Sequence, residues 1–382
     1  LARTPNAPEG IKGISLFLVP KILPHKDGTL DSPNNVKCGS IEKKMGIKAS
    51  PTCVMHYEDA KGWLVGDLNK GMKAMFIMMN GARLFVGIQG IGLSETAFQS
   101  SLHYAKERVQ GKLPESENIA DPIIVHPEIR KNLMFMKSMN DGIRGLMFKA
   151  GHAFDLIDSD QSKELTESSE NLIALLTPIL KSFATDKSME ITNQALQIYG
   201  GHGYITDHGM EQLVRDARIT PIYEGTNGIQ ALDLIGRKFN IHNGLIINQY
   251  LNEISKFLED NKDNKKLHKF IKLFDPSYVD LKVSIKFIKE IPLNNTQEIN
   301  SHAVDLLNLF ALVAVGFTWL EFIHVSITKT EDQDDDFYLA KIQLGEFYLT
   351  KVILETQKFK NNIISSGKLY NEFQDKYFEV GI

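Results

Sequence analysis

Cysteine is nearly missing from this chain: Cys38 and Cys53 are the only two in 382 residues. Two thiols make no disulfide framework, so a reducing compartment such as a cytoplasm is expected. Neither thiol stands in a Cys-x-x-Cys or Cys/His cluster, and the eleven histidines show no HxH or HExxH spacing, so no metal site is expected. Arginine is scarce as well, eight against thirty-five lysines. A planar five-donor fork is not replaceable by Lys, so each Arg repays placing. Charge of one sign is not in excess either. A net charge of -4 offers no basic field to nucleic acid or anionic lipid. Long apolar runs are also lacking: the longest, around Leu306–Val315, falls short of the roughly 20 residues that cross a bilayer.

What is present is a globular composition, 43% hydrophobic and 24% charged. Residues 1–68 carry short β-type runs between turn residues, such as Gly13–Pro20, Cys53–Tyr57 and Gly62–Gly66, which suit part of a sheet. The pattern changes at Asn69–Gly71. Met72, Met75, Phe76 and Met79 share a helical face, and Leu84, Ile88, Ile91, Phe98, Leu102 and Ala105 continue at steps of four and three, interrupted by Glu95. This spacing predicts one long helix over 71–108. Pro127-Glu128 predicts a second helix that runs to about Asp158. An acidic, serine-containing loop (Asp158–Glu170) and a third helix over 171–199 follow, then shorter segments over 210–218 and 226–237. Long antiparallel helices with short connections imply a four-helix bundle over 69–240. Residues 241–382 read as an additional helical domain, with amphipathic segments over 251–291, 299–326 and 337–361 and an acidic run at Glu331–Asp336. The expected fold class is mainly α with a partial β-domain.

Three constellations could carry chemistry. Gln197-Ile-Tyr-Gly-Gly-His-Gly-Tyr204 places three glycines in four residues after a long helix, where the backbone can turn sharply and approach another group. On spacing alone it is a helix C-cap; it is no Rossmann fingerprint, because it follows a helix. In Pro221-Ile-Tyr-Glu-Gly-Thr226, just after Arg215 and Arg218, Glu224 stands in an apolar and glycine setting at the expected start of a helix. A carboxylate among apolar groups keeps its proton more readily, which suits a general base, whereas an acid at a helix start also serves as a plain cap. Arg83 and Arg108 lie within and at the end of the first long helix, where an arginine needs no ligand to explain it.

In this order these elements resemble the acyl-CoA dehydrogenase family. The resemblance runs from Glu42-Lys-Lys-Met-Gly-Ile-Lys-Ala-Ser50, through Arg83 and Tyr104-Ala-Lys-Glu-Arg108, to Gln197–Gly203 and Arg215–Thr226. It implies an N-terminal helical domain, a middle β-domain and a C-terminal four-helix bundle, assembled as a dimer or a dimer of dimers. The chain starts at Leu1 rather than Met and is therefore expected to be a fragment lacking the first domain and half of the flavin site, which would hold FAD weakly. The resemblance assigns Glu224 as the base that takes the α-proton of an acyl-CoA, with hydride passing to flavin N5 and the thioester carbonyl polarised by the Glu224 backbone N–H. It assigns Arg108, Gln197, Gly200, Gly201 and Thr226 to FAD, and Arg83, Tyr223 and Gly225 to the substrate. The implied partners are an acyl-CoA and an electron-transferring flavoprotein as electron acceptor.

Two departures stand out: Arg108-Val-Gln-Gly111 is one residue shorter than the family's arginine to Phe-Gly spacing, and Gly228 replaces a glutamine. Together with the Pro114–Pro127 segment and the helical tail, they resemble the large bacterial subgroup that includes an enzyme of dimethylsulfoniopropionate breakdown. The implied substrate is then 3-methylmercaptopropionyl-CoA, with fatty acyl-CoA as the competing class. An acyl-CoA oxidase and a non-catalytic flavin-binding relative are the other readings; the presence of Glu224 argues against the latter.

Overall fold

A computed structural model describes residues 1–159, 162–239, 244–332, 335–365 and 367–381. The chain divides into two compact units, Leu1–Phe85 and Val86–Ile382.

The first unit holds seven short strands in three separate antiparallel sheets. Strands β1 (Ala2–Arg3), β2 (Ile14–Leu18) and β7 (Trp63–Val65) form one; β3 (Ile22–Pro24) pairs with β4 (Leu30–Pro33), and β5 (Val36–Ile41) with β6 (Cys53–Tyr57). Residues of β6 and β7 are exposed on both faces, so these ladders bury little. Across β5 and β6, Cys38 and Cys53 come within hydrogen-bonding contact, which raises the Cys53 pKa; both thiols are free. The start of the first helix rests on β2: Asn69, at φ 63°, donates its N–H to Ser15 Oγ at 2.8 Å, and a Cβ at Gly71 would stand 2.4 Å from the Ser15 carbonyl carbon. Only glycine fits there.

Helix α1 (Gly71–Glu107) begins in this unit and ends in the second. Helix α2 (Pro127–Asp158) has the predicted bounds. Helix α3 (Lys163–Tyr199) starts eight residues before the predicted 171, because Ser162 Oγ accepts the Leu165 N–H and Glu164 sits in the first turn. The acidic stretch expected as a loop is thus mostly exposed helix. Helices α4 (Met210–Ala217) and α5 (Asn227–Asp233) follow, α5 continuing as a π-helical turn to Lys238. The predicted 251–291 segment resolves into α6 (Leu245–Asp260) and α7 (His268–Glu290). Beyond them lie α8 (Thr296–Ser301), α9 (Ala303–Asp332), α10 (Asp336–Phe347), α11 (Glu355–Ile364) and α12 (Lys368–Glu372). Within the acidic run, Asp335 caps α10 by accepting the Phe337 N–H.

Helix α9 is the axis of the second unit. Its residues Leu306–Leu320 are buried almost without exception, against α2, α3, α5, α7, α10 and α11. The segment after residue 240 therefore shares one core with the helices before it. The apolar stretch judged too short for a bilayer belongs to this longer helix. Ala303–Thr330 and Gly71–Glu107 are both long and apolar enough to cross a membrane by length and composition, though most of the apolar stretch of the former is buried inside the protein.

Small residues let α9 approach. A Cβ at Gly145 of α2 would stand 2.4 Å from the Phe322 ring, and one at Gly142 would stand 2.7 Å from Trp319 Nε1. The acid that interrupts the apolar stripe of α1 also finds its reason here: Glu95 binds Arg144 of α2 at 2.6 Å. Burial raises its pKa, but hydrogen bonds from Gln99 and Arg144 outweigh that and hold the carboxyl below its usual range. Arg144 also reaches buried Asp141, which Lys137 and Lys341 share.

Candidate active site

The short connection after α1 forms a compact turn. Val109 bridges to Pro122, and Asp121, nearly buried, gathers the loop: its carboxylate accepts from Ser116 Oγ and Asn118 Nδ2 at 2.7 Å and from the Leu113 N–H at 2.9 Å. These donors hold the Asp121 carboxyl below its usual range. Its folded pKa is thus lower than its unfolded one, so the stabilisation is present above the ordinary carboxylate range and lost as pH falls through the folded value. Asp121→Ala should lower Tm at pH 7, and that deficit should close below about pH 4. A deficit independent of pH in thermal melts would assign the effect to packing.

The turn places Arg108, exposed, at one side of a cleft of about 250 Å3. The end of α3 forms the other side. Gly200 stops the helix at φ 56°, ψ -135°, a conformation open to glycine, and its N–H returns to the Gln197 carbonyl. A side chain at Gly200 or Gly201 would meet nothing within 4 Å, so the backbone here is bare and open. Tyr104 and Tyr199 stack at 4.1 Å beneath it, and the Tyr104 hydroxyl is 2.9 Å from His202 Nδ1. His202 in turn stacks on His208 at 4.7 Å. Burial, with Tyr104 beside it, raises the Tyr199 pKa. Arg108, Gly200 and Gly201 therefore share one cleft, whereas Gln197 does not line it and meets Gly200 through its main-chain carbonyl.

The second group lies on the turn between α4 and α5. Buried Thr220 bonds back to the Ala217 carbonyl, and the Asn227 N–H closes the turn on the Pro221 carbonyl at 3.0 Å. Glu224 is half-buried and is not at a helix start. It precedes the N-cap by two residues and sits at φ 56°, with Gly225 following at φ 85°. A left-handed non-glycine residue is uncommon and costs on the order of 1 kcal/mol, which surrounding contacts must offset. The first turn of α5 contains no acid, so the capping reading of Glu224 does not hold. The cap is Thr226, whose hydroxyl accepts the Ile229 N–H. The Tyr223 hydroxyl bonds Gln89 of α1, and burial raises its pKa. Arg215, expected near the site, pairs with Glu211.

Sequence reading missed the residues that hold this turn. Lys181, wholly buried in α3, donates to the Gly225 carbonyl at 2.8 Å and to Asn227 Oδ1 at 2.9 Å. The buried Gln230 amide reaches the Glu224 and Gly225 carbonyls at 3.4 and 3.3 Å. The available signal was a lone lysine inside the mostly apolar stretch Leu175–Ala184. From Lys181 to Gln197 the helix rises roughly 24 Å, so the turn and the glycine cleft are distinct places on one helix. Arg83 belongs to the first unit, where it is buried. Among the described residues no group of three or more His, Cys, Asp or Glu could hold a metal ion.

Residues 69–239 match the family described as acyl-CoA dehydrogenase, C-terminal domain, and residues 250–373 match acetyl-CoA dehydrogenase C-terminal like. The chain belongs to the acyl-CoA dehydrogenase family. It is 34% identical over 370 residues to a 3-methylmercaptopropionyl-CoA dehydrogenase of Ruegeria pomeroyi, covering 96% of this chain and 63% of that one. It is 30% identical to the broad-specificity linear acyl-CoA dehydrogenase of Mycobacterium tuberculosis, covering 91% and 60%. The chain thus spans somewhat over half the length of these relatives. The same fold occurs in Caenorhabditis elegans ACDH-11, solved in complex with C11-CoA, with a TM-score of 0.79 at 21% identity over 98% of this chain and 59% of that one.

Proposed function

We propose that the protein is an FAD-dependent acyl-CoA dehydrogenase in which Glu224 removes the α-proton of the thioester. The observation that carries this reading is the turn itself: a carboxylate on a left-handed residue, in a turn held by Lys181 at the Gly225 carbonyl, by Gln230 at the Glu224 and Gly225 carbonyls and by the Asn227 N–H at the Pro221 carbonyl. Strain kept in place by buried donors is characteristic of a positioned reactive group. The α-proton of a saturated thioester is weakly acidic, so its base has to act from a defined position. The N–H of Glu224 is a candidate donor to the thioester carbonyl as negative charge develops there, and Tyr223 and Gly225 flank the acyl group. Arg83 is proposed for the CoA side.

The glycine cleft suits the phosphate and adenosine part of FAD. It has a bare backbone at Gly200 and Gly201, an exposed guanidinium at Arg108 and a neighbouring Gln197. Thr226 is proposed as a further contact. Bound FAD would supply the acceptor for the β-hydrogen; this chain supplies position, proton removal and water exclusion. In the same proposal an electron-transferring flavoprotein receives the electrons, and the enzyme works in the bacterial cytoplasm as a homodimer or dimer of dimers. Large exposed apolar side chains such as Ile88 and Phe148 support the assembly. The proposed sequence domains are 1–68, 69–240 and 241–382.

For substrate, likeness to the Ruegeria enzyme supports 3-methylmercaptopropionyl-CoA, with short linear acyl-CoA as the alternative. Anaerobic titration of the flavin-loaded full-length gene product distinguishes them. The sulfur thioester should bleach flavin absorbance faster than butyryl-CoA. Faster bleaching by butyryl-CoA rejects the sulfur substrate, and no bleaching by either despite bound FAD rejects the activity.

A further inference from the structure

We infer that Lys181 is the positioning residue of this site: its buried ammonium locks the Tyr223–Asn227 turn and thereby fixes where Glu224 stands. The inference rests on the reading of Glu224 as the base.

An ammonium withdrawn from water is unfavourable unless its donors are met. Lys181 is 0% exposed, and two of its bonds go to a single short turn: Gly225 O at 2.8 Å and Asn227 Oδ1 at 2.9 Å. Neither acceptor is more than three residues from Glu224. Asn227 extends the lock, its Nδ2 donating to Asp186 Oδ1 at 2.7 Å, Thr185 Oγ1 at 3.0 Å and the Ser182 carbonyl at 3.1 Å. One turn of α3, Lys181 to Asp186, is thereby clamped to the first residue of α5. Thr185 Oγ1 returns to the Lys181 carbonyl at 2.8 Å, so the clamp is closed on itself. Gln230 adds donors to the carbonyls of both left-handed residues. Without donors at these carbonyls, Glu224 would relax towards the commoner φ < 0 basins, because nothing in an L-residue's own sterics favours φ 56°. Rotating one peptide there displaces the carboxyl group by more than the tolerance of a proton transfer.

The test uses the flavin-loaded full-length protein with Lys181→Met, which keeps an unbranched side chain one atom shorter and removes every donor, and Asn227→Ala, which leaves the Lys181–Gly225 bond. Steady-state kinetics with the better of the two thioesters, Tm and amide hydrogen exchange of residues 219–230 are measured together. Lys181→Met should lower kcat about 100-fold with KM changed less than about threefold, and Asn227→Ala should lower kcat about tenfold. Exchange across 223–227 should quicken in both, with peptides from α9 unaffected. A lysine that merely stabilises the core would lower Tm and quicken exchange everywhere, with kcat intact; that result overturns the inference and leaves the proposed function standing. If Lys181→Met does not fold, Asn227→Ala decides by the same kcat and exchange criteria. Should the unsubstituted protein turn over no acyl-CoA, the proposed function fails by itself, and local quickening of exchange, or its absence, still decides whether Lys181 holds the turn.

Discussion

Glu224→Gln should lower acyl-CoA dehydrogenation by about 10³–10⁴-fold in the full-length protein while FAD remains bound. Glutamine keeps the size of the side chain and loses the ability to take a proton. The turn itself should survive, because the bonds from Lys181 and Gln230 to Gly225 and from Asn227 to Pro221 all end on main-chain carbonyls. The substituted protein should therefore bind thioester with a Kd within a few-fold of the parent and simply fail to bleach. The loss belongs in kcat, as for an interaction made only in the transition state. Stopped-flow flavin absorbance under anaerobic conditions reads both. A loss below about tenfold would assign the α-proton to another group and reduce the strained turn to architecture.

Trp319→Ala should cost about 3–5 kcal/mol, the range for removing a large aromatic side chain from a closed core. Trp319 is wholly buried at the contact of α9 with α2 and α10. Its indole N–H donates to the Ser138 carbonyl at 3.1 Å, its ring meets Phe322 edge-on at 5.6 Å, and Lys341 Nζ lies 5.8 Å from it. Gly142 and Gly345 approach so closely that side chains there could not accompany it. The substitution leaves a cavity and a buried carbonyl without its donor, which add to the lost transfer energy. A fall in Tm on the order of 10 °C should follow by differential scanning calorimetry. A cost below about 1 kcal/mol would show that α9 does not anchor the second unit.

Much of the helical framework was legible because its signals are local. Pro127-Glu128 marked the start of α2, and the steps of four and three marked α1. The start of α3 was missed because Ser162 and the acids after it suit both a loop and an exposed first turn; the local sequence does not choose between them. Glu95 broke the apolar stripe of α1 without explanation until Arg144 of α2 was placed opposite it. Leu306–Val315 is too short by itself to span a bilayer, and the helix expected over 299–326 around it runs from Ala303 to Asp332 as the axis of the core.

The sequence by itself determined the family and which residues stand in the motif, since Tyr-Glu-Gly-Thr and Gln-x-x-Gly-Gly-x-Gly are contiguous strings whose order carries the information. What only the tertiary structure decided is how those strings are held. Glu224 adopts a left-handed backbone rather than opening a helix, and the donor that restrains it, Lys181, stands 44 residues from Gly225. No periodicity or turn propensity links positions so far apart; their meeting depends on the packing of α3 against α5, and packing is a property of the folded core.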